Sequence, residues 1–280
     1  MVIPNKRPIN EEGRLFRTNP LFWEFNGRSR LPVERRLRCR SLMEAHSTSL
    51  PLPCPRSTGK RQRLSNSGRQ ALGILGGTFD PVHVGHLRLV LELRDRLPLE
   101  RTLLMPSAQP PHRDPPRASA EDRLAMVRLA VEALHARGVR DVQAEDLEFH
   151  RPGPSYMVDS LERLREREDD RSLALILGMD AFLELPGWHR WRRILELAHL
   201  VVVGRPGSVL NGASVDWARD RIVGKAEDLR ARGAGGVLHV QVPELDISAS
   251  AIRASLAQGQ CIHFLTPAPV IEYIQRRKLY

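Results

Sequence analysis

The sequence predicts an α/β fold: an open, mostly parallel sheet with helices on both faces, preceded by a basic extension. Three observations carry that reading. From residue 71 onward, short apolar runs alternate with amphipathic stretches. Strands alternating with helices require right-handed crossovers, which cover both faces of a parallel sheet. The distinctive residues all follow the apolar runs, and open α/β sheets bind ligands outside the carboxyl ends of their strands. The net charge of +10 is also confined: residues 1–70 hold 15 Lys and Arg against 5 Asp and Glu, and residues 71–280 are neutral.

Residues 1–70 are rich in Arg, Ser and Pro and show no sustained period of 3.6 or 2. Leu50-Pro51-Leu52-Pro53-Cys54-Pro55 cannot continue a helix, because each proline lacks a donor and restricts its predecessor. Such a segment buries too little apolar area to offset its ordering entropy, so it reads as a disordered extension. Its basic, acid-poor composition also suits an organellar targeting segment, and Met43 is an internal candidate start. The domain reading is therefore a tail over 1–70 and one α/β domain over 71–280.

Within that domain the pattern gives a strand at 71–75, a helix at 85–97, a strand at 102–105 and a helix at 120–136. Next come a strand at 139–143, a helix at 158–167, a strand at 172–177, a helix at 191–197 and a strand at 200–203. Ser119 with Asp122 three residues on is a capping-box signal opening the second helix. The longest apolar runs, such as Leu200-Val201-Val202-Val203, fall far short of the roughly 20 residues a membrane span needs. Cys39, Cys54 and Cys261 cannot build a disulfide framework and form no C-x-x-C zinc pair, so a reducing, cytoplasmic location is expected. Cys261 reads as an inert buried thiol.

The chemistry concentrates in Gly73-Ile74-Leu75-Gly76-Gly77-Thr78-Phe79-Asp80-Pro81-Val82-His83-Val84-Gly85-His86. A buried strand runs into two glycines, which let the backbone turn sharply and approach a ligand closely. A helix then starts near Gly85, and its unpaired amides form an anion site with His83 and His86 beside it. The dinucleotide motif G-x-G-x-x-G is absent, and no Lys follows the glycines as a Walker A loop requires. The i,i+3 histidines also suit a metal, but the glycine turn weighs for catalysis. Ser248 and Ser250 ahead of Arg253 read as a second helix start, with hydroxyls and a guanidinium suited to phosphates.

The G-G-T-F-D-P-x-H-x-G-H segment resembles the signature of the H-x-G-H nucleotidylyltransferases, specifically the bacterial nicotinate-nucleotide adenylyltransferases. The resemblance spans roughly residues 71–280, and further segments support it in order. They are Pro110-Pro111-His112-Arg113, Gly178-Met179-Asp180, Trp188-His189-Arg190-Trp191, Val203-Gly204-Arg205-Pro206-Gly207 and Asp246 to Arg253. The chain's last residues, including Tyr273-Ile274 and Leu279-Tyr280, match as well. Where the family commonly reads S-Y-T-x-x-T-L, Met157 and Ser160 replace two threonines.

The resemblance implies a Rossmann-like fold and transfer of the adenylyl group of ATP to nicotinate mononucleotide, a step of NAD biosynthesis that releases pyrophosphate. It implies His83, His86 and Arg253 as catalytic residues. It implies ATP contacts from Gly76, Gly77, Thr78, Phe79, Arg113, Gly178, Asp180, Arg205, Ser248 and Ser250. Trp188 and Tyr156 would meet the acceptor's pyridine side, while Trp191 reads as core. Mg²⁺ would accompany ATP on phosphate oxygens, with few protein ligands and no dedicated metal site. An alternative keeps the fold and changes the acceptor to nicotinamide mononucleotide, phosphopantetheine or flavin mononucleotide. Scarce lysine excludes the K-M-S-K-S loop of the class I tRNA synthetases from residues 71–224. A nucleic-acid-binding protein acting through the tail is the rival of another class, and the neutral domain argues against it.

Overall fold

Parallel pairing on both sides of the first strand sets the architecture. In the computed structural model, which describes residues 71–111, 115–168, 171–210, 212–228, 233–243 and 245–280, β1 (Ala71–Gly77) lies between β2 (Leu99–Pro106) and β4 (Ser172–Gly178). The remaining strands are β3 (Val142–Ala144), β5 (His199–Gly204), β6 (Ile222–Val223) and β7 (Val237–Gln241). The sheet order is β3-β2-β1-β4-β5-β7-β6, and every strand pairing among the described residues is parallel. Strand order reverses between β1 and β4, so a crevice opens at their carboxyl ends. The basic extension and Arg113 lie outside the described residues.

The crossovers are α1 (Val84–Arg96), α2 (Ala120–His135), α3 (Met157–Arg167), α4 (Met179–Glu184) and α5 (Trp191–Leu197). After β7 come α6 (Ala249–Ala257) and α7 (Ala268–Arg277). The two-residue alternation of β1 divides the core. Ala71 and Leu75 join Val90, Leu93, Val127 and Ile274 on the face covered by α1, α2 and α7. Leu72 and Ile74 join Leu161, Leu164 and Ile194 on the face covered by α3 and α5. No helix among the described residues is long and apolar enough to cross a membrane.

Two local expectations change. The third strand begins at Val142 rather than 139, because Gly138 turns the chain at φ +83° after α2. Val139 then packs into the core from that turn, its amide bonded to the Leu134 carbonyl. The capping box at Ser119 is half formed: its hydroxyl accepts from the Asp122 amide at 3.1 Å. The return bond goes to the hydroxyl instead of the amide, since Asp122 Oδ2 accepts from Ser119 Oγ at 2.9 Å, while Oδ1 accepts from the Tyr273 hydroxyl at 2.8 Å and from Arg277 at 3.2 Å. The Oδ1 bonds dock α7 onto the start of α2.

Candidate active site

At the end of β1 the chain needs glycine for space. A Cβ on Gly76 would meet the Met157 methyl at 2.6 Å, so glycine lets the start of α3 lie against the strand end. Phe79 then adopts φ 51°, a left-handed conformation that favours glycine, and buries its ring. That ring lies under Gly77 and edge-on to His86 at 4.9 Å. Phe79 therefore supports the site through its side chain.

His83 is the N-cap residue of α1, and its ring stacks on His86 at 3.7 Å. A Cβ on Gly85 would come within 3.0 Å of His83 Nδ1, so this second glycine accommodates the buried ring. The His83 backbone amide donates to Nδ1 of His86 at 3.2 Å. A ring nitrogen that accepts carries no proton, so this bond places the His86 proton on Nε2. Burial pulls the imidazole of His83 down to about 4. Burial first, and then the neighbouring charge of His83, pulls His86 down to about 3. Both rings are therefore neutral at pH 7. His83 Nδ1 is buried without a hydrogen-bond partner, the kind of orphan that a ligand group can satisfy.

A second helix start stands beside the first. The Ser248 hydroxyl caps α6 by accepting from the Ala251 amide at 3.2 Å, and lies 3.1 Å from the Ser250 hydroxyl. Both serines are exposed. The Ile247 carbonyl lies 3.7 Å from where a Cβ on Gly85 would sit, so the α6 start flanks the α1 start. Arg253 reaches back from α6, donating to the Asp80 carbonyl at 2.6 Å.

Other expected residues occupy the same sheet edge. Gly178 closes β4 next to β1, and the exposed Asp180 follows in the first turn of α4. Arg205 lies just past β5, in a loop held by Gln241, which accepts from the Gly207 amide and donates to the Ser208 carbonyl. Tyr156 caps α3 and packs against the His189 ring at 4.3 Å. Trp188 is half-buried on the same apolar face, and Trp191, also half-buried, packs edge-on against Trp217 at the margin of the core. Ser160 keeps the hydroxyl of the threonine it replaces and donates to buried Glu148 at 2.7 Å. One expectation fails: Cys261 is exposed, with Sγ 2.9 Å from Nδ1 of His263, because its segment loops across the surface between α6 and α7.

Sequence reasoning did not single out Arg123 or Asp80. Arg123 is 1% exposed and donates to the carbonyls of Thr78, Ser107 and Ala108, tying the loop after β1 to the loop after β2. The signal was present, as an arginine in the apolar stripe that continues through Met126, Val127 and Ala130. Asp80 is 4% exposed and accepts from the amides of Arg117 and Ala118.

Comparison with known proteins shows the family and the fold. Residues 74–255 match the model of the cytidylyltransferase-like family. A probable nicotinate-nucleotide adenylyltransferase of Acidithiobacillus ferrooxidans is 44% identical over 220 residues, covering 78% of this chain and 99% of its own. One from Pseudomonas putida strain W619 is 44% identical over 213 residues, covering 75% and 94%. Among solved structures, the Plasmodium falciparum nicotinic acid mononucleotide adenylyltransferase complexed with NaAD shares the fold. Its TM-score is 0.58 at 17% identity, covering 76% of this chain and 98% of that one.

The buried imidazoles give a pH signature. In the unfolded chain each titrates near 6.5, and in the native protein near 4 and 3. Between those values the unfolded state binds more protons, so stability falls as pH drops from 6.5 towards 4. Urea unfolding of the parent and of His83→Asn across that window is expected to show a shallower fall in the variant; parallel curves would contradict the neutral pair.

Proposed function

The chain belongs to the cytidylyltransferase-like family, in its nicotinate-nucleotide adenylyltransferase branch, and on that premise we propose that it transfers the adenylyl group of ATP to nicotinate mononucleotide. The products are nicotinate adenine dinucleotide and pyrophosphate, which makes the reaction a step of NAD biosynthesis. The observation that carries this reading is the convergence of two helix starts, two neutral imidazoles and Arg253 at the switch point of the sheet.

The acceptor's phosphate oxygen is already an anion, so no general base is required. Its bond to the α-phosphorus forms as the bond from that phosphorus to the β-phosphate bridging oxygen breaks. Pyrophosphate leaves with the electron pair. Rate then comes from positioning and from donors aimed at the developing charge. His86 Nε2–H and His83 serve the α- and β-phosphates as neutral donors. The α6 start, the Ser248 and Ser250 hydroxyls and the Arg253 guanidinium serve the β- and γ-phosphates. Gly76, Gly77 and Thr78 let backbone approach the nucleotide, Arg205 and Asp180 border it, and Arg113 adds a cation. Tyr156 and Trp188 form the apolar wall for the pyridine ring, with the Met157 methyl against Gly76 beside them.

The donor set suits a Mg²⁺ held by ATP itself. Asp80 is engaged by backbone amides, and among the described residues no cluster of three His, Cys, Asp or Glu could hold a metal ion. Asp180, an exposed carboxylate just past the end of β4, would meet the ion. When bound, Mg²⁺ supplies neutralisation of the triphosphate charge. We assign the activity to residues 71–280, with residues 1–70 as an accessory basic tail, and place the enzyme in the cytoplasm.

Steady-state assay with ATP and each mononucleotide tests the proposal. A pocket of backbone amides after β4 can donate to both oxygens of the nicotinate carboxylate, but leaves a carboxamide NH₂ unpaired, at a cost of about 1–3 kcal/mol. Nicotinate mononucleotide is therefore expected to exceed nicotinamide mononucleotide by at least about tenfold in kcat/KM; equal values would overturn the acceptor assignment.

His86→Ala removes one preorganised donor and is expected to lower kcat by about 10²–10³ with circular dichroism unchanged. An unaltered kcat would remove His86 from the mechanism.

A further inference from the structure

The segment that follows α6 braces the turn that carries the histidines. The Leu265 carbonyl accepts from the Val84 amide at 2.8 Å, and the Thr266 hydroxyl donates to the Val82 carbonyl at 2.8 Å. At the end of the sequence the Tyr280 hydroxyl donates to Oδ1 of Asp80 at 2.6 Å. The same carboxylate takes the Ala118 amide on Oδ1 at 3.1 Å and the Arg117 amide on Oδ2 at 2.8 Å.

Arg253 makes an unusual approach to this group. Its Nη1 bonds the Asp80 backbone carbonyl at 2.6 Å yet stands 3.7 Å from Oδ2. An unhindered arginine–carboxylate pair closes to about 2.7–2.9 Å, often through two parallel bonds. Here the carboxylate is already satisfied by three other donors, and the guanidinium has no further hydrogen bond among the described residues. The Arg253 side chain remains 30% exposed.

We infer that Tyr280 is a positioning residue for adenylyl transfer: by satisfying the Asp80 carboxylate, its hydroxyl keeps Arg253 available to the triphosphate. This assignment rests on the adenylyl-transfer reading above. Burial and the Asp80 hydrogen bond hold the phenol far above its ordinary range, so the hydroxyl donates at every physiological pH. Without that hydroxyl, Oδ1 keeps only the longer Ala118 bond. A buried carboxylate short of donors then draws the nearest guanidinium onto itself and away from phosphate.

Tyr280→Phe keeps the ring and removes only the donor. The variant is expected to raise KM for ATP about tenfold while KM for nicotinate mononucleotide stays within about twofold of the parent. In an Asp80→Asn background, where the anionic attraction is gone, Tyr280→Phe is expected to have no further effect on KM for ATP. An unchanged KM for ATP, an equal rise in both KM values, or the same rise in both backgrounds would overturn the assignment. Calorimetric titration with an ATP analogue bearing a methylene between the α- and β-phosphorus reads the same shift without turnover. A parent that binds the analogue but does not turn over nicotinate mononucleotide would refute the functional reading instead, leaving the Tyr280 effect on analogue binding still measurable.

Discussion

The bond from the His83 amide to Nδ1 of His86 is the constraint on which the site depends. It spends the one ring nitrogen that could compete for a proton and leaves the other as a fixed donor. Burial does the rest, since a desolvated imidazole resists charging. Together they give a donor that needs no protonation step and no reorientation to serve the phosphate proposed for it, which is what electrostatic preorganisation requires. The bond exists only because His83 sits at the N-cap of α1, with an extended backbone that aims its amide into the first turn.

Holding that N-cap in place involves most of the domain. Phe79 supports His86 from below, at a backbone angle few residues accept. The Leu265 and Thr266 bonds fix the residues on either side of His83. Arg123 ties the preceding loop to the loop after β2, and its three carbonyl partners give a buried cation the polar environment it needs. These features are local costs: a left-handed phenylalanine, a buried arginine and an orphaned His83 nitrogen. They are offset by the two apolar cores that flank β1, the usual relation between a strained site and the scaffold that supports it.

Much of this was legible in the residues. The alternation of apolar runs and amphipathic stretches located five strands and four crossover helices, and the glycine turn marked where His83 and His86 meet at the α1 start. Ser248 declared the α6 start by the same capping logic that Ser119 declared the start of α2. What stayed hidden depends on contacts distant in sequence. Nothing near Asp80 indicates that it will meet Tyr280, 200 residues away, or Arg253. The helix that carries Val270, Ile271 and Ile274 was not among the expected elements, and its docking through Asp122 depends on the tertiary fold. Val139 shows the opposite error: an apolar residue that suggests a strand serves the core from a turn.

The central claim is that the His86 imidazole, proposed as a donor to phosphate, is neutral and carries its proton on Nε2 in the free protein. Nitrogen-15 NMR of histidine-labelled, ligand-free protein at pH 7 measures this directly, with His86→Asn identifying the resonance. A neutral ring protonated at Nε2, with Nδ1 shifted as a hydrogen-bond acceptor, is the result expected. A cationic ring, or one protonated at Nδ1, would contradict the account.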